Sequence, residues 1–168
     1  MIAQYLANGP KALIPQDWID LTREVRTGTK DAHFVGARYR GSDADQYVRP
    51  DGPMEIELTI EASNPQLVAG LAVCLYDRLG VKLVQADSHA YEHPIPIRKG
   101  TTSVTIRIHQ LHLNPGTYTV GLWMADRSEV YDSVPAAFQM EVIEGGRGLM
   151  KSRQGAGGIV TCEFDVCL

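Results

Sequence analysis

Residues 111–118 read Leu111-His112-Leu113-Asn114-Pro115-Gly116-Thr117-Tyr118, and this stretch decides how the chain is laid out. Proline fixes its own φ and offers no N–H, and glycine has no side chain to obstruct a tight reversal, so Pro115-Gly116 reads as a turn. The spacing L-x-P-G-x-Y goes further. It is that of a tyrosine corner, in which the Tyr hydroxyl bonds back to backbone just upstream while the chain crosses from one sheet of a sandwich to the other. A plain Pro-Gly turn with Tyr118 merely buried is the competing reading; the alternation that follows, which turns Tyr118 inward, favours the corner. The strands before and after the turn then belong to different sheets. Residues 116–125 should pair with 137–143 and with 71–76, apart from the two strands richest in Glu and Arg.

Working outward, apolar residues recur with period two, and Gly, Pro, Asn or Asp clusters separate the runs. Residues 54–61 place Met54, Ile56, Leu58 and Ile60 on one face and Glu55, Glu57, Thr59 and Glu61 on the other. Residues 102–109 turn Val104, Ile106 and Ile108 inward and Thr105, Arg107 and His109 outward. In 116–125 the inward set is Tyr118, Val120, Leu122 and Met124, and in 137–143 it is Phe138, Met140 and Val142. Further strands are expected at 32–39, 71–76, 82–86 and 159–166. About eight short strands with turns between them predict an all-β, immunoglobulin-like antiparallel sandwich of jelly-roll character.

The composition suits one such domain. With 168 residues, 44% hydrophobic and 21% charged, the chain can bury about 70% of the surface its unfolded form exposes and needs neither metal nor disulfide to hold a core. Twenty acidic against sixteen basic residues leave a net charge of −4. That is the wrong sign for neutralising phosphates, and nucleic acid is not an expected partner. The longest apolar run, 67–76, is ten residues, half of the roughly 20 that a membrane-spanning helix needs. Cys74, Cys162 and Cys167 have neither disulfide-framework nor zinc-site spacing, so they read as reduced thiols of a cytosolic protein. No basic region followed by an apolar stretch marks a secretory signal.

Residues 1–15 read as a linker from an upstream domain, with the end of a helix over 2–7 stopped by Asn8-Gly9-Pro10. Residues 16–168 are the sandwich. Within it, 145–158 holds six glycines in fourteen residues and reads as a flexible loop. A last strand, 159–166, follows with Val160, Cys162, Phe164 and Val166 inward. Such a hinge lets that strand join a sheet of its own chain or of a partner.

Trp18 in IPQDWIDL, the run LAVCLYDRLGVKLVQADS, the run LHLNPGTYTVGLWMADRSEVYDSVPAAFQMEV and the closing GIVTCEFDV together resemble one family. It is the carbohydrate-binding carboxy-terminal domain of the ATP-binding subunit of ABC transporters that export O-antigen-type polysaccharides. The resemblance covers about residues 15–166, and its most specific parts are the hairpin at 76–83 and the segment ending at Asp132. It implies a cytosolic, dimeric, non-catalytic sandwich, working without a cofactor at the inner face of the cell membrane. It also implies that the domain selects the polysaccharide for export beside a membrane-embedded subunit, to which an upstream nucleotide-binding domain connects it. The family favours exchange of strand 159–166 between two copies. The chain has no G-x-x-x-x-G-K-S/T loop, so ATP chemistry is not expected within it.

Site residues must be argued from the faces. By alternation Trp123 points outward between Gly121 and Ala125, which leaves its ring exposed. An exposed ring there reads either as a stacking platform for the apolar C–H face of a sugar or as a ring covered by a loop, a partner or the linker. Thr119, Gln139, Glu141, Cys74 and Tyr76 should share its face. Trp123 and Tyr76 are then candidate platforms, with Thr119 and Gln139 as hydrogen-bonding partners. Tyr91 and His93, in a Pro-containing loop, are further candidate contacts. His89 with His93, and His109 with His112, lack a third ligand, and i,i+3 positions on a strand face opposite ways, so no metal is expected. Glu55, Glu57 and Glu61 line an outward face, where nothing would raise a carboxyl pKa to make a general acid. A glycan-binding module and a purely structural dimerisation or adaptor domain therefore remain the two readings, with an enzyme unsupported.

Overall fold

The computed structural model describes residues 17–50, 52–88 and 94–144. Among them are ten strands: β1 (Ile19–Asp20), β2 (Ala32–Gly41), β3 (Met54–Ala62), β4 (Gln66–Val68), β5 (Gly70–Tyr76), β6 (Lys82–Asp87), β7 (Ile95–Ile97), β8 (Gly100–Ile108), β9 (Gly116–Ala125) and β10 (Val130–Val142). They form a four-stranded sheet ordered β1-β2-β3-β8, a second ordered β10-β9-β5-β6, and the small pair β4-β7. Every pairing is antiparallel. The fold is the expected all-β sandwich, with β1, β4 and β7 added as strands too short for a period to show. Among the described residues no helix is long and apolar enough to cross a membrane. The expected linker 1–15 and strand 159–166 lie outside the described residues.

The corner at 111–118 is built as its spacing predicts. Tyr118 Oη donates to the Asn114 carbonyl at 2.6 Å, and Leu111 and Leu113 are buried beneath the turn. The chain leaves β8 in the first sheet and enters β9 in the second. The faces also fall where alternation puts them: Met54, Ile56, Leu58 and Ile60 are buried, as are Val120, Leu122, Met124, Met140 and Val142.

The strand expected at 137–143 is longer than expected, because β10 begins at Val130 and carries Pro135 in its middle. Between Val134 and Phe138, β10 advances four residues while its partner β9 moves only from Leu122 to Val120. Proline has no N–H for the ladder, and a bulge on an edge strand tolerates it.

One side of the sandwich is clasped by residues 21–31. Asp132, on β10, is the buried charged residue of the described chain. Its Oδ2 accepts from Arg26 Nη1 at 2.9 Å and from the Phe34 N–H at 2.8 Å, and Arg26 also donates to the Phe34 and Leu21 carbonyls. Burial pushes the Asp132 carboxyl above the usual carboxylate range, against the lowering effect of the Phe34 N–H and Arg26. Thr27 and Ser133 exchange backbone hydrogen bonds. Gly28, at φ +125°, fits here because a Cβ would stand 2.4 Å from the Tyr131 carbonyl oxygen. Among the described residues no such clasp covers the remaining sheet edges, β8 and β6, where Val104, Ile106, Ile108, Leu83 and Val84 are half-buried.

Candidate binding face

The outer face of the β10-β9-β5-β6 sheet gathers four of the six expected site residues. Gln139, Thr119 and Tyr76 lie side by side across β10, β9 and β5. One step along, Gly121 is opposite Cys74; one more, Trp123 stands between Ser133 and Ala72. Tyr91 and His93 lie outside the described residues.

Glycine shapes the floor. A Cβ on Gly121 would stand 2.9 Å from Tyr76 Cε2 and 2.9 Å from the Pro135 carbonyl oxygen, so the Tyr76 ring leans over bare backbone and the bulge of β10 leans in from the other side. Trp123 behaves in the same way at Gly70, where a Cβ would meet its Cζ3 at 2.9 Å. Trp123 is therefore half-buried rather than exposed, as its small neighbours in sequence suggested. The residue that receives the ring is on the next strand, which alternation along β9 does not reveal.

Tyr76 and Pro135 form a shared wall between two shallow hollows. One, of about 340 Å³, is bounded by Trp123, Tyr76, Cys74 and Ser133, with Lys82 and Asp87 at its rim. The other, of about 650 Å³, is bounded by Tyr76, Thr119, Gln139, Thr117 and Arg78. Both fall in the size range of small-ligand sites, about 300–1,000 Å³. Lys82 Nζ lies 5.9 Å from the Tyr76 ring centroid and donates to Gln85 Oε1 at 2.9 Å, and Gln85 donates on to Asp87 at 3.0 Å. Burial, with Cys74 nearby, holds the Tyr76 phenol above its ordinary value, so it stays a neutral donor at neutral pH. Asp77 is committed to its own hairpin, accepting the Leu79 and Val81 N–H groups at 2.9 and 2.8 Å. The face thus offers aromatic plates, hydroxyls and an amide. Sequence reasoning reaches Gly121 only as a small neighbour of Trp123, and it does not reach Pro135 or the Lys82-Gln85-Asp87 rim.

The opposite outer face is different. Arg38 holds Glu57 through Nε and Nη2 at 2.7 and 2.5 Å, and Glu55 is held by both Arg40 and Arg107. The hydrogen bond from Arg40, then that from Arg107, keeps the Glu55 carboxyl below its ordinary range, and Arg38 does the same to Glu57. That is opposite to what a general acid requires. Among the described residues no three His, Cys, Asp or Glu side chains come together as metal ligands.

Comparison with known proteins places the chain. The sequence model of the Wzt C-terminal domain family matches residues 23–161. The chain belongs to this family. It is thus a C-terminal domain of a Wzt-type, polysaccharide-exporting ABC transporter, and the match spans the corner, strands β2 to β10 and most of the clasp. The crystal structure of the C-terminal domain of Wzt superposes with a TM-score of 0.61 at 14% identity, covering 80% of this chain and 89% of that one. At that identity the likeness speaks for the fold. A β-glucuronidase of glycoside hydrolase family 2 reaches a TM-score of 0.39 at 14% identity over 67% of this chain and 11% of its own, too slight to carry an argument. No curated protein matches the sequence.

Proposed function

We propose that this Wzt-type domain is a non-catalytic module that binds the O-antigen-type polysaccharide to be exported, and so confers specificity on its transporter. The binding surface is the outer face of the β10-β9-β5-β6 sheet. Trp123 and Tyr76 stack against sugar rings, while Thr119 and Gln139 hydrogen-bond to hydroxyls. The observation that carries this reading is the pair of adjoining hollows sharing Tyr76, a layout suited to consecutive units of one chain. Stacking of this kind contributes on the order of 1–2 kcal/mol per ring, so a short oligosaccharide binds in the micromolar to millimolar range. Repeated epitopes on one polymer, or two modules side by side, raise the effective affinity without new contacts.

The module works as a homodimer in which strand 159–166 is exchanged, on the cytoplasmic side of the membrane, joined through an upstream nucleotide-binding domain to the membrane-embedded subunit. The half-buried apolar residues along β8 and β6 support the exchange, since a sheet edge with partly covered apolar residues is a template for another strand. Light scattering at high micromolar concentration should give the mass of a dimer; a monomer there overturns the exchange. For the glycan, NMR titration with oligosaccharides from the source organism's polysaccharide should shift Tyr76, Thr119, Trp123 and Gln139 together. Shifts absent from this face, in a domain that still dimerises, would favour the adaptor reading.

A further inference from the structure

We propose a second saccharide platform, built on Trp18, on the outer face of the β1-β2-β3-β8 sheet. It rests on the reading of the domain as a glycan binder and extends it to the opposite sheet.

Trp18 is 51% exposed, whereas Trp123 is half-buried. Its ring lies against the bare backbone of Gly36, with Cε3 and Cζ3 at 3.5 and 3.7 Å from where a Cβ would stand, and the Arg38 guanidinium is 4.8 Å from its centroid. Arg38 is itself held by Glu57, and Glu57 Oε1 accepts from Ser103 Oγ at 3.1 Å. The ring is oriented before any ligand arrives, so little ordering remains to oppose binding. Beside the ring, the register aligns Gly36 with Thr59 and Ser103, which places two hydroxyls next to an aromatic plate.

The chemistry of the surroundings selects the ligand. A protein interface core is depleted of charge and closes over contiguous apolar area. Trp18 is instead bordered by hydroxyls and a neutralised Arg38–Glu57 pair, which suits a neutral sugar presenting a C–H face to the indole and hydroxyls to the row beside it.

The chain has two tryptophans, so Trp123→Phe leaves Trp18 as the sole indole reporter and Trp18→Phe leaves Trp123. The probe is the source organism's polysaccharide and its oligosaccharide fragments, read by iodide quenching of each variant. Trp18 should be quenched freely in the unliganded protein and at least twofold less at saturating oligosaccharide. Trp18→Ala should weaken binding of the whole polymer about tenfold, through lost avidity, with an unchanged circular dichroism spectrum. If Trp123 is protected and Trp18 is not, the second platform is wrong while the glycan reading stands. If Trp18 alone is protected, the platform stands and the assignment to the β9 sheet fails. Protection of neither overturns both. Shielding of Trp18 before any glycan is added means that its own chain covers it, and also overturns the platform.

Discussion

On the β1-β2-β3-β8 sheet the outward residues at successive register positions are Arg40, Glu55 and Arg107, then Arg38, Glu57 and Thr105. On the β10-β9-β5-β6 sheet the row is Gln139, Thr119 and Tyr76, with Gly121 one step on. The first surface spends many of its hydrogen-bonding groups on itself, since Glu55 is held by two guanidinium groups and Glu57 by one. The second leaves uncharged donors and acceptors beside aromatic rings, over a floor cut low by glycine. The same sandwich therefore carries a self-paired charged surface on one side and an uncharged, aromatic one on the other, by the choice of outward residues on its strands.

Three substitutions break or sharpen this contrast. The largest effect belongs to what both faces share. Asp132→Ala leaves the Arg26 guanidinium, whose side chain is only 7% exposed, and the Phe34 N–H buried without the acceptor they share. It should cost about 3 kcal/mol in denaturant unfolding. Because burial raises the Asp132 carboxyl in the folded state, that group's contribution to stability is greatest at low pH and declines as pH rises through the raised value. The slope should be absent in the Ala variant.

Next, Gly121→Ala sets a methyl 2.9 Å from the Pro135 carbonyl and the Tyr76 ring. It should cost on the order of 1–2 kcal/mol in thermal unfolding and push Tyr76 out of place, abolishing oligosaccharide binding at this sheet. The smallest effect is on the charged face. Arg107 is 61% exposed, and Arg40 still holds Glu55 when it is gone. Arg107→Ala should change stability by no more than about 0.5 kcal/mol and leave binding at the β9 sheet unchanged. A loss of binding there would mean that the faces are not independent.

Much of this layout is legible in the sequence because period-two alternation is a local signal. The inward sets of β3, β8 and β9 follow from it, and the L-x-P-G-x-Y spacing assigns the flanking strands to different sheets. Legibility stops where the cause is non-local. The first half of β10 is not legible in this way because Pro135 interrupts the pattern, and the bulge that accommodates it is set by pairing with β9. β1, β4 and β7 are two or three residues long and have no period to read. The half-burial of Trp123 depends on Gly70, fifty-three residues earlier and on another strand. The buried Arg26–Asp132 pair joins positions 106 apart, and nothing in either local sequence announces it.

The most direct test of the account is the affinity of Trp123→Ala for an oligosaccharide of the exported polysaccharide, measured by calorimetry beside the wild-type domain. Trp123 is half-buried over Gly70 but lies outside the core between the sheets, so the variant should lose about 1–2 kcal/mol of stability and still fold. Loss of one stacked ring corresponds to about 1.4 kcal/mol, a tenfold weaker Kd. Binding as tight as wild type, or a variant that no longer folds, would contradict the assignment of this face as the glycan site.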